Sequence, residues 1–142
     1  MTIGTLLRPA APSGPVPTNV SFLDDVRLET QTNTPTATHA FVPDRDTTIT
    51  VSARAVAQRV GDDTNYATVG RRAVVRTSAA GVITLTQEGA VSSLGPLTGL
   101  DLTIAAASTP APQHIEVTVT GQLLIPIRWQ VAVEIFQLDR SG

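Results

Sequence analysis

Thr48-Ile49-Thr50-Val51-Ser52-Ala53-Arg54-Ala55 alternates polar and apolar side chains without a break. Successive side chains of an extended chain point to opposite sides, so Ile49, Val51, Ala53 and Ala55 share one face and Thr48, Thr50, Ser52 and Arg54 the other. This is the pattern of a half-buried strand. The same period returns in Ile115-Glu116-Val117-Thr118-Val119-Thr120 and in the segment Ile127 to Ile135, where Trp129, Val131, Val133 and Ile135 fall on one side.

Working outward, Phe22 to Thr30, Thr36 to Val42, Tyr66 to Arg76, Val82 to Gln87 and Leu100 to Ala106 are further strand candidates, rich in Val, Ile, Thr or Leu. Turn residues separate them: Pro43 to Asp46, Gly61 to Asn65, Ala79 to Gly81, Leu94 to Pro96, Pro110 to Pro112 and Thr120 to Gln122. The Ala-rich stretch Ile104 to Ala107 continues the alternation of Leu102 and Ile104 and is read as strand. No segment carries the spacing of an amphipathic helix, and no internal repeat is evident. Short strands between closely spaced turns predict an all-β fold, an antiparallel β-sandwich of jelly-roll type.

At 142 residues the chain has the length of one domain. Only three Phe, one Trp and one Tyr are available to fill its interior, so the core is expected to be aliphatic. There is no cysteine, which removes disulfides, thiolate nucleophiles and Cys-based zinc sites together. The net charge is -2, all ten basic residues are arginines, and they do not cluster into a run. Nucleic acid is therefore not an expected partner. No apolar stretch approaches the roughly 18 residues of a membrane helix and no signal-peptide pattern opens the chain, so a soluble, unprocessed protein without a membrane partner is expected.

Residues 1–18 read differently from residues 19–142. Pro9, Pro12, Pro15 and Pro17 recur every two or three positions, which blocks helix and sheet ladders and favours an extended arm. Such an arm forms no core of its own. With Ile3, Leu6, Leu7 and Arg8 ahead of them, these prolines are the residues expected to dock on a partner.

Catalytic and metal constellations are not legible. His39 and His114 are the two imidazoles, and His39 with the turn residues Asp44 and Asp46 falls short of a converging ligand set. Asp62 and Asp63 suit a hairpin turn rather than a calcium loop. Asp24 and Asp25, adjacent on a strand, point to opposite sides and belong to a solvated edge. No serine sits in a Gly-x-Ser-x-Gly elbow and no glycine-rich phosphate loop occurs. The expectation is a non-enzyme with no cofactor. Arg71, Arg72 and Arg76 lie on one candidate strand, with Arg72 and Arg76 on one face. An anionic ligand or a carboxylate on an adjacent strand or subunit would suit them. Trp129 in an apolar strand face reads as a core anchor.

The stretch Val51 to Leu138 carries a resemblance. Ser52-Ala53-Arg54-Ala55-Val56-Ala57-Gln58-Arg59 is followed by Tyr66, by Arg71-Arg72-Ala73-Val74-Val75-Arg76, by Gly81-Val82-Ile83-Thr84-Leu85, and by Val119-Thr120-Gly121 leading to Ile127-Arg128-Trp129-Gln130-Val131-Ala132-Val133. This order resembles the small β-sandwich modules of tailed-bacteriophage virion proteins, over about two thirds of the chain. The resemblance implies a virion structural component. Lacking a repetitive shaft, the chain is expected to be a capsid decoration or cement protein that binds the major capsid protein or other virion proteins through its N-terminal arm, as a homotrimer on the outer capsid surface. The alternative it implies is a head-spike, tail-fibre or adaptor module that binds a host receptor or glycan. No catalytic residue is carried over.

Overall fold

A computed structural model describes residues 20–89 and 91–138. Its nine strands are β1 Val20–Thr30, β2 Thr36–Phe41, β3 Thr47–Arg59, β4 Tyr66–Thr77, β5 Ile83–Gln87, β6 Ser92–Leu94, β7 Asp101–Ala107, β8 His114–Thr120 and β9 Ile127–Leu138. No helix occurs among the described residues. Every pairing is antiparallel, and the strands form two sheets, β1-β9-β3-β4-β5 with β6 also on β4, and β2-β8-β7. The fold is the expected β-sandwich. Its first and last strands nest as in a jelly roll, β1 on β9 and β2 on β8, while the β3–β4 hairpin stays within the large sheet.

The alternation quoted above becomes burial. In β3 the residues Ile49, Val51, Ala53, Ala55 and Ala57 are all buried, and Val131, Val133 and Trp129 of β9 lie beside them. Across the sandwich stand Leu102 and Ile104 of β7 and Ile115, Val117 and Val119 of β8, each with at most 1 % of its surface exposed. The large sheet supplies alanines where the small sheet supplies branched side chains. Such a small-against-large match lets two sheets interlock at native density.

Trp129, buried as expected, donates its Nε1–H to Thr30 Oγ1 at 2.9 Å, which satisfies the indole inside the core and ties β9 to the end of β1. His39 is buried too. Its Nε2 lies 2.7 Å from the carbonyl oxygen of Asp24, so one imidazole bonds β2 of the small sheet to β1 of the large one.

Two local features depart from the strand-by-strand reading. Between Leu23 and Val26 the register of β1 against β9 shifts, and Asp24 and Asp25 occupy the bulge, both exposed. The rule of opposite sides therefore fails there, because a bulge adds a residue without a cross-strand partner and reorients its side chains. β1 is an edge strand, and charge on a bulge discourages pairing with another chain. The second departure is β6, which lies in a segment read as loop and turn. β4 is 12 residues long, whereas β5 pairs only with Ala73 to Thr77, so the free edge at Thr68 to Gly70 receives Ser92 to Leu94. The turn after it needs glycine: Gly95 has φ +116°, and a Cβ there would stand 2.5 Å from the Tyr66 carbonyl oxygen.

Candidate functional site

One face of the large sheet packs on the core and the other is open. On the open face the strands stay in register, so side chains form rows across the sheet. One row runs Val20, Phe136, Thr50, Val74, Thr86; the next is Phe22, Glu134, Ser52, Arg72; the third is Ala132, Arg54, Gly70, Ser92; and the fourth is Arg27, Gln130, Val56, Thr68, Leu94. A fifth row holds Glu29, Arg128, Gln58 and Tyr66. The small residues of the third row leave an open groove of about 560 Å³, lined by Arg54, Val56, Thr68, Gly70, Ser92, Leu94, Gln130 and Ala132.

This face carries most of the exposed large apolar side chains of the described residues. Of the ten large hydrophobic side chains exposed among the described residues, Val56, Tyr66, Val74, Leu94, Phe136 and Leu138 lie on it. They lie in rows separated by Glu134, Ser52, Arg72 and Arg54, so the face alternates apolar and charged strips. Two more of the ten, Leu123 and Leu124, occupy the β8–β9 loop, where Leu124 takes φ +64° and its N–H donates to the Gln31 carbonyl at 2.8 Å.

The three arginines of β4 are not brought together. Arg72 and Arg76 share the open face as expected, and each meets a carboxylate of its own chain, Glu88 at 2.7 Å and Asp46 at 3.2 Å. Arg71 points inward instead. Its side chain, only 10 % exposed, reaches across to Asp101 at the start of β7 at 3.8 Å, and its Nε has no partner among the described residues. Each of the three meets a carboxylate of its own chain, Glu88 just after β5, Asp46 just before β3 and Asp101 in the other sheet.

The titratable groups elsewhere serve local structure. Asp62 Oδ1 accepts from the Thr64 hydroxyl at 2.6 Å and the Thr64 N–H at 3.1 Å, which holds its carboxyl below the usual range and makes the β3–β4 loop an Asx turn. His114 is buried at the head of β8 with Nδ1 2.9 Å from the Pro112 carbonyl oxygen and Nε2 3.0 Å from Glu116 Oε2. Both ring nitrogens can donate only in the imidazolium form, so the Pro112 carbonyl first, and then Glu116, push its pKa up against the opposing effect of burial. Among the described residues no three His, Asp or Glu side chains gather as metal ligands, and Asp44 and Asp46 do not join His39. The arm residues Ile3, Leu6, Leu7, Arg8, Pro9, Pro12, Pro15 and Pro17 lie outside the described residues.

Sequence reasoning did not single out Val56, Val74, Leu94, Glu134 or Phe136. The signal was present in the period itself: Val56 and Val74 fall on the side of β3 and β4 that otherwise carries Thr, Ser and Arg.

No protein-family model matches the sequence, and no curated protein sequence matches it. Among solved structures, the fold is similar to part of the tailspike protein of Acinetobacter baumannii phage AM24, with a TM-score of 0.54 and 12 % identity over 86 % of this chain. The chain spans 27 % of the length of that protein.

Proposed function

We propose that this protein is a structural component of a bacteriophage virion that works by binding rather than by catalysis. The observation that carries the reading is the shared sandwich: 86 % of the chain follows the fold of a segment of a phage tailspike. The order of strand motifs from Val51 to Leu138 supports it, and so does an open sheet face supplied with apolar side chains for contact.

In its finer form, the protein decorates the outer capsid surface, with residues 1–18 laid across neighbouring major capsid subunits. An extended segment contributes contact area without needing a core, and repeated sites on a shell turn weak contacts into avidity. Deletion of residues 1–18 is expected to leave the far-UV circular dichroism of the sandwich unchanged and to abolish co-sedimentation with capsids. Full capsid occupancy by the truncated protein rejects the arm as the attachment device.

The tailspike similarity favours a second reading, a module of a spike or tail that engages a host surface. Electron microscopy of intact particles carrying a labelled copy separates the two. Density on the shell supports decoration, and density at the tail or collar supports the spike module.

A further inference from the structure

We infer that the open face of the large sheet is the seat of a second copy of this chain, packed face to face about a two-fold axis. This goes beyond the proposed virion role and holds wherever in a particle the protein resides.

Area comes first. At roughly 3.3 Å per residue and 4.8 Å per strand, the 13 residues of β3 and a width of five strands make a face of about 1,000 Å². A stable pair buries about 800 Å² per partner, so this face is large enough by itself.

Composition comes second. Apolar residues flank the middle of the face on both sides, Val74 and Phe136 in the first row and Val56 and Leu94 in the fourth. Between them, the third row places the small residues Ala132, Gly70 and Ser92 beside Arg54, and this lowers the surface there. A Cβ built on Gly70 would stand 3.6 Å from the Ala53 carbonyl oxygen, an ordinary contact with φ outside the left-handed region, so its own chain does not require glycine there. Glycine inside a strand marks a bulge, a bend or the close approach of a ligand or another backbone, and β3 and β4 pair here in unbroken register. Ala132 and the groove lie beside it.

Charge decides the occupant. Arg128, Arg72 and Arg76 on this face are each paired with a carboxylate, whereas Arg27, Arg54 and Glu134 have neither an ion pair nor a side-chain hydrogen bond among the described residues. The last two occupy neighbouring rows, Arg54 opposite Ala132 and Glu134 opposite Ser52. Arg27 is unpaired as well but sits at the β1 edge of the face, whereas Arg54 and Glu134 stand side by side near its centre, where a two-fold contact can cross-pair them. In an isologous contact Arg54 of each copy meets Glu134 of the other, giving two equivalent pairs. An anionic polymer would satisfy Arg54 and oppose Glu134.

The test uses the full 142-residue chain in analytical ultracentrifugation. The expected species has twice the 14.9 kDa mass of one chain. Arg54→Glu and Glu134→Arg, each checked for an unchanged circular dichroism spectrum, are expected to weaken association by about tenfold or more. The double swap R54E/E134R restores it to within about threefold, because it rebuilds the pair with the charges exchanged. Deletion of residues 1–18 leaves the dimer intact. A monomer, a trimer, a dimer indifferent to both charge reversals, a double variant no better than the singles, or a dimer lost with the arm each overturns the inference.

Discussion

Thr50 and Val51 are neighbours in β3 and have opposite environments. Val51 is completely buried against the small sheet, and Thr50 sits in the open row between Phe136 and Val74. The inner and outer faces are built on the same backbone, and they differ in what fills them. The inner face combines alanines, mainly of β3 and β4, with branched residues and packs on one partner, the sheet of β2, β8 and β7. The outer face mixes valine, threonine and arginine. Its many exposed apolar groups have no counterpart in the described chain. One face carries stability, and the proposed dimer gives the other its role in recognition.

The difference is sharpest for core truncation. Leu102→Ala removes a fully buried side chain from the small sheet and is expected to cost about 2–5 kcal/mol in chemical denaturation, because the alanine-rich sheet opposite cannot collapse into the cavity. Overpacking tests the same face from the other side. Ala53→Leu inserts volume where none is free and is expected to cost about 1–3 kcal/mol, while Arg54→Leu one residue on, measured at concentrations where the chain is monomeric, changes stability by less than about 0.5 kcal/mol. Equal effects at 53 and 54 would erase the distinction between the faces.

The rim between the sheets gives a smaller effect. Asp101→Ala leaves the Arg71 guanidinium buried without its carboxylate and is expected to lose about 1–3 kcal/mol. Arg71→Met keeps the packing and leaves a half-exposed Asp101 that still accepts from the Leu102 N–H, so its cost stays within about 1 kcal/mol. A larger loss for Arg71→Met than for Asp101→Ala would contradict the burial asymmetry of the pair.

The smallest effect belongs to His114, and its sign follows from the raised pKa. A group that binds its proton more tightly when folded stabilises the fold fully below its unfolded value of about 6.5 and loses that contribution as pH rises through the folded value. Thermal midpoints are therefore expected to decline from about pH 6 to pH 8, and His114→Gln to flatten that decline. A midpoint that rises over this interval, or an unaltered slope in the variant, counts against the two-acceptor arrangement.

Much of the fold is legible in the order of residues, and the reason is local. Period two needs no knowledge of the partner strand, so β3, β8 and β9 stand out, and turn residues delimit β1, β2, β4, β5 and β7 to within a residue or two. β6 escapes because Ser92-Ser93-Leu94 has no alternation and pairs only because β4 outruns β5. The inward turn of Arg71 follows from its odd position beside Arg72, but its destination, Asp101, is 30 residues away in another sheet. The candidate site is less legible still, since Val56, Val74, Leu94 and Phe136 belong to four different strands and become one surface only through register.

By itself, then, the sequence determines that strands form here, which side chains share a side of each, and that cysteine chemistry is absent. Alternation and turn propensity act over a few neighbouring residues and can be read along the chain. The tertiary structure alone decides which sheet each strand joins, that His39 and Arg71 bridge the two layers, and that one sheet face is closed and the other open. Those outcomes depend on pairings between residues distant in sequence, where strand lengths, free edges and side-chain volumes have to match in three dimensions.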